Sequence, residues 1–170
     1  MPTIRPEQPA DHPGVFAVNE VAFGRRAEAE LVDAVRASES SVLSLVAEVE
    51  DEIVGHVLFS PVTIEGDGAA PASGALGQVG VIPGRQRQGV GSALIRAALE
   101  RCPALGWEAI FVLGDPAFYA RFGFELAAPR RLHYASHDFD AAFQCMELRA
   151  GALSRCAGWI RYADAFESVD

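Results

Sequence analysis

The chain has 170 residues, half of them hydrophobic and 22% charged, which suits one globular domain and excludes a disordered or fibrous chain. Fourteen basic residues against 23 acidic ones give a net charge of −9, which excludes the dense basic face that nucleic acid demands. There is no bilayer-length apolar run and no secretory apolar core, and Cys102, Cys145 and Cys156 are too scattered for a disulfide framework. A cytoplasmic domain spanning 1–170 with one core, away from membranes, is therefore expected.

Thr3–Pro6 starts a short strand. Asp11 is the expected N-cap of a helix over His12–Phe23, whose apolar residues Val15, Phe16, Val18, Val21 and Ala22 recur at helical spacing until Gly24 breaks it. Ala27–Ala37 resumes that spacing with Leu31, Val32 and Val35. Ser41–Val49 and Ile53–Ile64 read as strands joined by the acidic turn Glu50-Asp51-Glu52. Glu65–Gly74, rich in glycine, proline and alanine, reads as a mobile loop remote from any chemistry. Ala75–Ile82 is an apolar strand. Beyond Pro83-Gly84 come Arg85–Gly91 and a helix to Arg101, with Ser92, Arg96 and Glu100 wet and Val90, Ala93, Leu94, Ala97 and Ala98 facing the core. Trp107–Leu113 reads as a buried strand. Asp115 and Pro116 open a brief helix that Gly123 ends, and another strand lies near Phe143–Leu148. This alternation predicts an α/β (α+β) layer fold with a mixed sheet.

A strand that turns through glycines into a helix gathers backbone N–H groups at the positive end of the helix dipole, where phosphate is favoured. At Gly89 and Gly91 a side chain would block that approach or strain the backbone, and Arg85 and Arg87 add full charges. A dinucleotide fingerprint fails because its third glycine position holds Leu94. A P-loop fails because all fourteen basic residues are arginines. The absence of lysine also means the chain has no lysine side chain of its own to modify.

The pattern Gln86-x-x-Gly89-x-Gly91 after Val81-Ile82-Pro83 resembles motif A of the GNAT acetyltransferase superfamily. Gly55–Pro61, Gln88–Ile95, Leu113–Pro116, Tyr119-x-Arg121-Phe122-Gly123-Phe124 and Gly151-Ala152-Leu153, with Tyr162 and Phe166, are similar to its YhbS-like bacterial branch, so the likeness covers nearly the whole chain. The resemblance implies an acyl-CoA N-acyltransferase fold. Its mixed central sheet has a splayed strand pair, Ala75–Ile82 and Trp107–Leu113, flanked by helices. It implies acetyl-coenzyme A as acyl donor, held by Val79, Val81, Gln86, Arg87, Gln88, Gly89, Val90, Gly91, Ser92 and Arg121. It further implies that the Val81 N–H polarises the thioester carbonyl, with room left by Gly80, and that Tyr119 is the general acid.

A base must also take a proton from the attacking amine, and His56, Glu48, Glu20 and Glu30 are candidates by residue type. The acceptor implied is a primary amine, on a small molecule or a protein N-terminus. The alternative reading is a non-catalytic acyl-CoA-binding sensor, distinguished from the enzyme by the acid and acceptor machinery. His133 and His137 with Asp138 lack helical periodicity, and a structural zinc site wants four ligands, so no metal is expected. The apolar tail Trp159, Ile160, Tyr162 and Phe166 suits either the core or a homodimer interface.

Overall fold

The computed structural model describes residues 1–39 and 42–167, so Ser41, the expected start of the second strand, lies outside the described residues. In chain order the elements are β1 Thr3–Pro6, α1 His12–Phe23, α2 Arg26–Ser38, β2 Leu43–Val49, β3 Glu52–Gly68, β4 Ser73–Val81 and α3 Val90–Arg101. They continue as β5 Ala109–Leu113, α4 Pro116–Tyr119, β6 Glu125–Leu126, β7 Leu132–Tyr134, β8 Phe143–Glu147, β9 Cys156–Arg161 and α5 Asp164–Glu167. None of the helices among the described residues is long and apolar enough to cross a membrane.

These elements form two compact units, and the chain passes between them repeatedly. Unit 1 comprises Met1–Ser60, Gly77–Arg101 and the segment from Ala163; unit 2 comprises Pro61–Leu76 and Cys102–Tyr162. Each contains an apolar cluster.

In unit 1, β1, β2 and β3 pair antiparallel, with Ile4 opposite Ala47 and Val46 opposite His56. Val15, Leu31, Val32 and Val35 of α1 and α2 pack with Val46 and Leu58. The α2 face read from the sequence is buried as expected, whereas of the expected α1 face Val15 and Val18 are buried, Phe16 and Ala22 are half-buried, and Val21 is exposed. Asp11 stands at the N-cap position of α1 as expected, but its side chain caps no N–H of that helix. A 3-10 turn over Pro9–Asp11 precedes the helix, and the Asp11 carboxylate accepts from the Gln8 N–H at 2.7 Å and from Arg5 at 2.7 Å. That pairing holds its pKa down at about 2.

In unit 2, β4 pairs parallel with β5 from Ser73 opposite Ala109 to Ala75 opposite Phe111, and β8 pairs antiparallel with both β5 and β6. Parallel and antiparallel ladders together make the sheet mixed. Phe111 and Phe143, both fully buried, stack at 5.6 Å among Leu132, Leu153 and Ile160. The segment read as a remote loop is largely strand. Residues 63–68 of β3 pair antiparallel with β9, and β4 already begins at Ser73. Gly66, at φ +155°, lies where a Cβ would run into the Ala157 carbonyl of β9. Glycine there permits close approach of two strands rather than marking a loop.

Candidate functional site

At the end of β4, the Ile82 N–H donates to the Val54 carbonyl of β3 at 3.0 Å. Backbone groups alternate sides along a strand, so the neighbouring Val81 N–H turns away from β3. Among the described residues β4 pairs with β5 only over Ser73–Ala75, although β4 runs on to Val81. An edge that stops pairing in this way offers its peptide groups to an extended ligand.

The Val81 carbonyl accepts from the Gln86 side chain at 2.9 Å, which folds the following loop back on the strand end. Gln86 thus has a structural task beside the contact expected of it. Gln88 similarly donates to the Gly84 carbonyl at 3.2 Å. Arg87 (φ +63°) and Gly89 (φ +85°) take left-handed conformations that turn the chain into α3. The first bond of that helix joins the Ala93 N–H to the Gly89 carbonyl. The N–H groups of Val90 and Gly91 precede it and emerge at the positive helix end. A Cβ on Gly91 would lie 3.8 and 3.9 Å from the Val81 and Val79 side chains, an ordinary contact. Packing therefore does not require glycine there, whereas close approach of a bulky anion does. Val79 and Ser92 are half-buried beside this turn, Val90 is buried, and the backbone around Gly89 is open. Gly80 has a packing reason instead: a Cβ would press on Asn19, Ala22 and Phe23 of α1 at 3.2–3.3 Å.

In unit 2, β5 ends at Gly114, whose carbonyl is held by the Gln144 side chain at 3.1 Å. Asp115 caps α4 by accepting the Ala117 N–H at 3.0 Å, with Pro116 at the first position. Tyr119 is 8% exposed and meets Phe118 and Phe124 edge-on. Its ring fills the space where a Gly114 side chain would stand. Burial pushes the Tyr119 phenol upward, so it stays protonated through neutral pH. The Arg121 guanidinium stacks over Phe118 at 5.0 Å and Phe122 at 5.5 Å, which fixes one face of it.

His56 is fully buried in unit 1, and both of its ring nitrogens are engaged. The Asn19 amide donates to the Val15 carbonyl and contacts His56 Nδ1, each at 3.0 Å, which makes Nδ1 an acceptor. Nε2 then carries the proton and donates to Ser44 Oγ at 2.8 Å, and the Ser44 hydroxyl donates to Glu7 at 2.9 Å. A second ring proton would confront the Asn19 amide hydrogens. Burial lowers the His56 pKa to about 3. The base role expected of His56 meets a ring with no lone pair to offer, so it is left out of the chemistry below. Glu48 is paired with Arg5 at 3.0 Å and Glu30 with Arg26 at 3.0 Å, while Glu20 lies 3.8 Å from Arg26.

A cleft of about 480 Å³ beside α1 is lined by Arg5 and Ile82 together with the carboxylates of Asp11, Glu48, Asp51 and Glu52. Its charge rules it out as a phosphate seat. In the tail, Ile160 joins the unit 2 core and Phe166 packs in unit 1, while Trp159 is partly exposed. His133 and His137 come together with Asp140 rather than Asp138, a carboxylate that the sequence pattern did not single out.

Comparison with known proteins agrees with this geometry. The family model for the acetyltransferase (GNAT) domain matches residues 3–127. The chain is 36% identical to the N-acetyltransferase YhbS of Escherichia coli K12 over 169 residues, 96% of this chain and 97% of the relative. The crystal structure of Escherichia coli YhbS in complex with CoA superposes with a TM-score of 0.90 at 34% identity, covering 99% of this chain and 93% of the other. A GNAT family acetyltransferase from Brucella melitensis in complex with acetyl-CoA gives a TM-score of 0.77 at 34% identity, covering 98% of both chains.

Proposed function

The chain belongs to the GNAT acetyltransferase family, and from that premise we propose that residues 1–170 act as one N-acetyltransferase domain that moves the acetyl group of acetyl-CoA to a primary amine. Acetyl-CoA supplies an activated thioester. The turn from Gln86 to Gly91 holds its pyrophosphate through the N–H groups at the start of α3, with Arg87 and Arg121 adding charge. Val79 and Val81 present strand peptide groups to the pantetheine arm, and Gln88, Val90 and Ser92 frame the cradle. The Val81 N–H, turned away from β3, donates to the carbonyl oxygen where negative charge develops. Tyr119 donates its phenolic proton to the thiolate as the C–S bond breaks. The thiol formed is the stronger acid by about 1.5 in pKa, so the proton released by the attacking amine must return to the phenolate to complete the step. The amine proton leaves through water, and the acceptor is a small-molecule amine or a protein N-terminus.

The observation that supports this reading most is Gly91, a glycine in helical geometry that no neighbour in the protein requires. Calorimetric titration with acetyl-CoA, with NAD run beside it, tests the reading. The Cβ of Gly91→Glu would stand at ordinary contact distance from Val81 and Val79, and the variant adds a carboxylate at the anion cradle. It is expected to fold and to weaken acetyl-CoA binding by at least about a hundredfold, a loss of roughly 2.7 kcal/mol. Equal binding by the variant, or binding of NAD alone, sinks the proposal. Tyr119→Phe should lower turnover by about a hundredfold with the acetyl-CoA affinity nearly unchanged. Unaltered turnover removes Tyr119 from the acid role. Tight acetyl-CoA binding with no thiol release across a panel of amines favours the sensor reading instead.

A further inference from the structure

β7 and the turn after it assemble a second cluster of chemistry-bearing groups within unit 2. β7 lies parallel to β9 with His133 in register with Trp159. Ala135 turns the chain at φ +57°, and Ser136 Oγ accepts the Asp138 N–H at 3.2 Å to start one 3-10 turn over His137–Phe139. That turn carries Asp140 back toward both rings. Asp140 Oδ1 lies 2.8 Å from His133 Nδ1, and Oδ2 lies 3.0 Å from His137 Nδ1. The two imidazoles are 4.6 Å apart, and Trp159 packs against both at 5.1 and 5.2 Å. The His137 side chain is 70% exposed, so the grouping does little for the core. Exposed pairs of this kind contribute little to stability.

We propose that His133, His137 and Asp140 form a binding site for a divalent, imidazole-preferring cation, with Zn²⁺ as the test case. One ligand atom from each residue lies within 4.8 Å of the others. A tetrahedral ion with bonds of about 2.0–2.1 Å holds its ligand atoms roughly 3.3 Å apart. To admit it, the contacts of 2.8 and 3.0 Å, which go to the two different oxygens of Asp140, widen by a few tenths of an ångström. The widest ligand-atom separation, at most 4.8 Å, closes by up to about 1.5 Å, a movement open to the exposed His137 ring. Two imidazoles and one carboxylate suit Zn²⁺ and its neighbours, whereas Mg²⁺ and Ca²⁺ select oxygen. Three protein ligands leave a position for water, as in open rather than closed zinc sites. Thiolates do not compete for the ion, because all three cysteines are buried and burial pushes Cys102 and Cys145 to about 12. Trp159 is the outer wall that keeps both rings turned toward Asp140.

The test is calorimetric titration of the untagged, chelator-stripped full chain with Zn²⁺, repeated on His137→Ala and Asp140→Ala. Circular dichroism confirms that each variant is folded. The wild type is expected to bind one equivalent, and each variant to bind at least about tenfold more weakly. No saturable binding by the wild type, or undiminished affinity in either variant, overturns the proposal and leaves a hydrogen-bonded surface cluster.

Discussion

In unit 1 a histidine lies wholly out of water between an amide and a hydroxyl; in unit 2 two histidines lean on one carboxylate beside solvent. The residue type is the same and the chemistry differs, because partners and water decide which protonation state each ring can hold. Around His56 the donors and acceptors run in one direction, from Gln78 through Asn19, His56 and Ser44 to Glu7, which Arg36 also holds at 2.6 Å. Every member needs its neighbour, so the chain of bonds is a structural device joining α1, β2, β3 and β4. At His133 and His137 the common partner is charged, and the hydrogen bonds from the two rings hold the Asp140 carboxyl below its ordinary range. An ionised carboxylate flanked by imidazoles is a ligand set, whereas a neutral ring between neutral partners is packing.

The largest effect that separates the two environments is on stability as a function of pH. Burial lowers the folded-state pKa of His56 from 6.5 to about 3, so the unfolded chain binds a proton that the native chain does not. The His56 contribution is complete above pH 6.5 and is lost progressively as pH falls from 6.5 toward 3. Its full span is roughly 5 kcal/mol. Urea unfolding across this range should show a loss between pH 6.5 and about 4 that is absent in His56→Gln. Below about 4 the carboxylates join in, and the Asp11 contribution, held by its bond to Arg5, is lost only as pH drops from 3.8 toward 2. A His56→Gln protein with the same slope as wild type would break the comparison at its buried end.

His56→Leu at neutral pH comes next. It removes the ring that pairs with one N–H of the buried Asn19 amide and with Oγ of the half-buried Ser44, at a cost of roughly 3 kcal/mol. Urea midpoints measure it directly. A cost under about 1 kcal/mol would mean that water enters and replaces the ring, and the network would then not be dry.

These two sites were unequally legible in the sequence, as was the fold around them. Motif A could be read because its signal is local: a strand, two glycines and a helix succeed one another within Val81–Arg101, and the same peptide groups build the turn. The α1 and α2 faces were equally plain, since Val15, Leu31, Val32 and Val35 carry their own period. The pairing of β3 with β9 was not, because Gly66 and Gly68 resemble loop residues until Gly158 and Cys156 are brought opposite them. The service of Asp140 depends on a single 3-10 turn, which has too few residues to show a period. His56 stands in an apolar strand in the sequence. Only contacts with Asn19 and Ser44, distant along the chain, show that its lone pair is already taken.

The smallest effect tests the exposed end of the comparison. With a chelator present, His137→Ala should change the unfolding free energy by no more than about 0.5 kcal/mol, the usual range for surface positions. The ring is mostly in water, and its bond to Asp140 exchanges readily for bonds to solvent. The same measurement with Zn²⁺ at a hundredfold excess over the wild-type Kd should open a gap of at least about 1.3 kcal/mol between wild type and variant, rising to about 2.7 kcal/mol for a variant that no longer binds, because an ion bound only by the folded chain stabilises it by mass action. A large loss in the chelator-treated variant would make the cluster a structural brace of β7 and β9, in the manner of His56. A small loss that grows with the ion present keeps the two kinds of histidine apart.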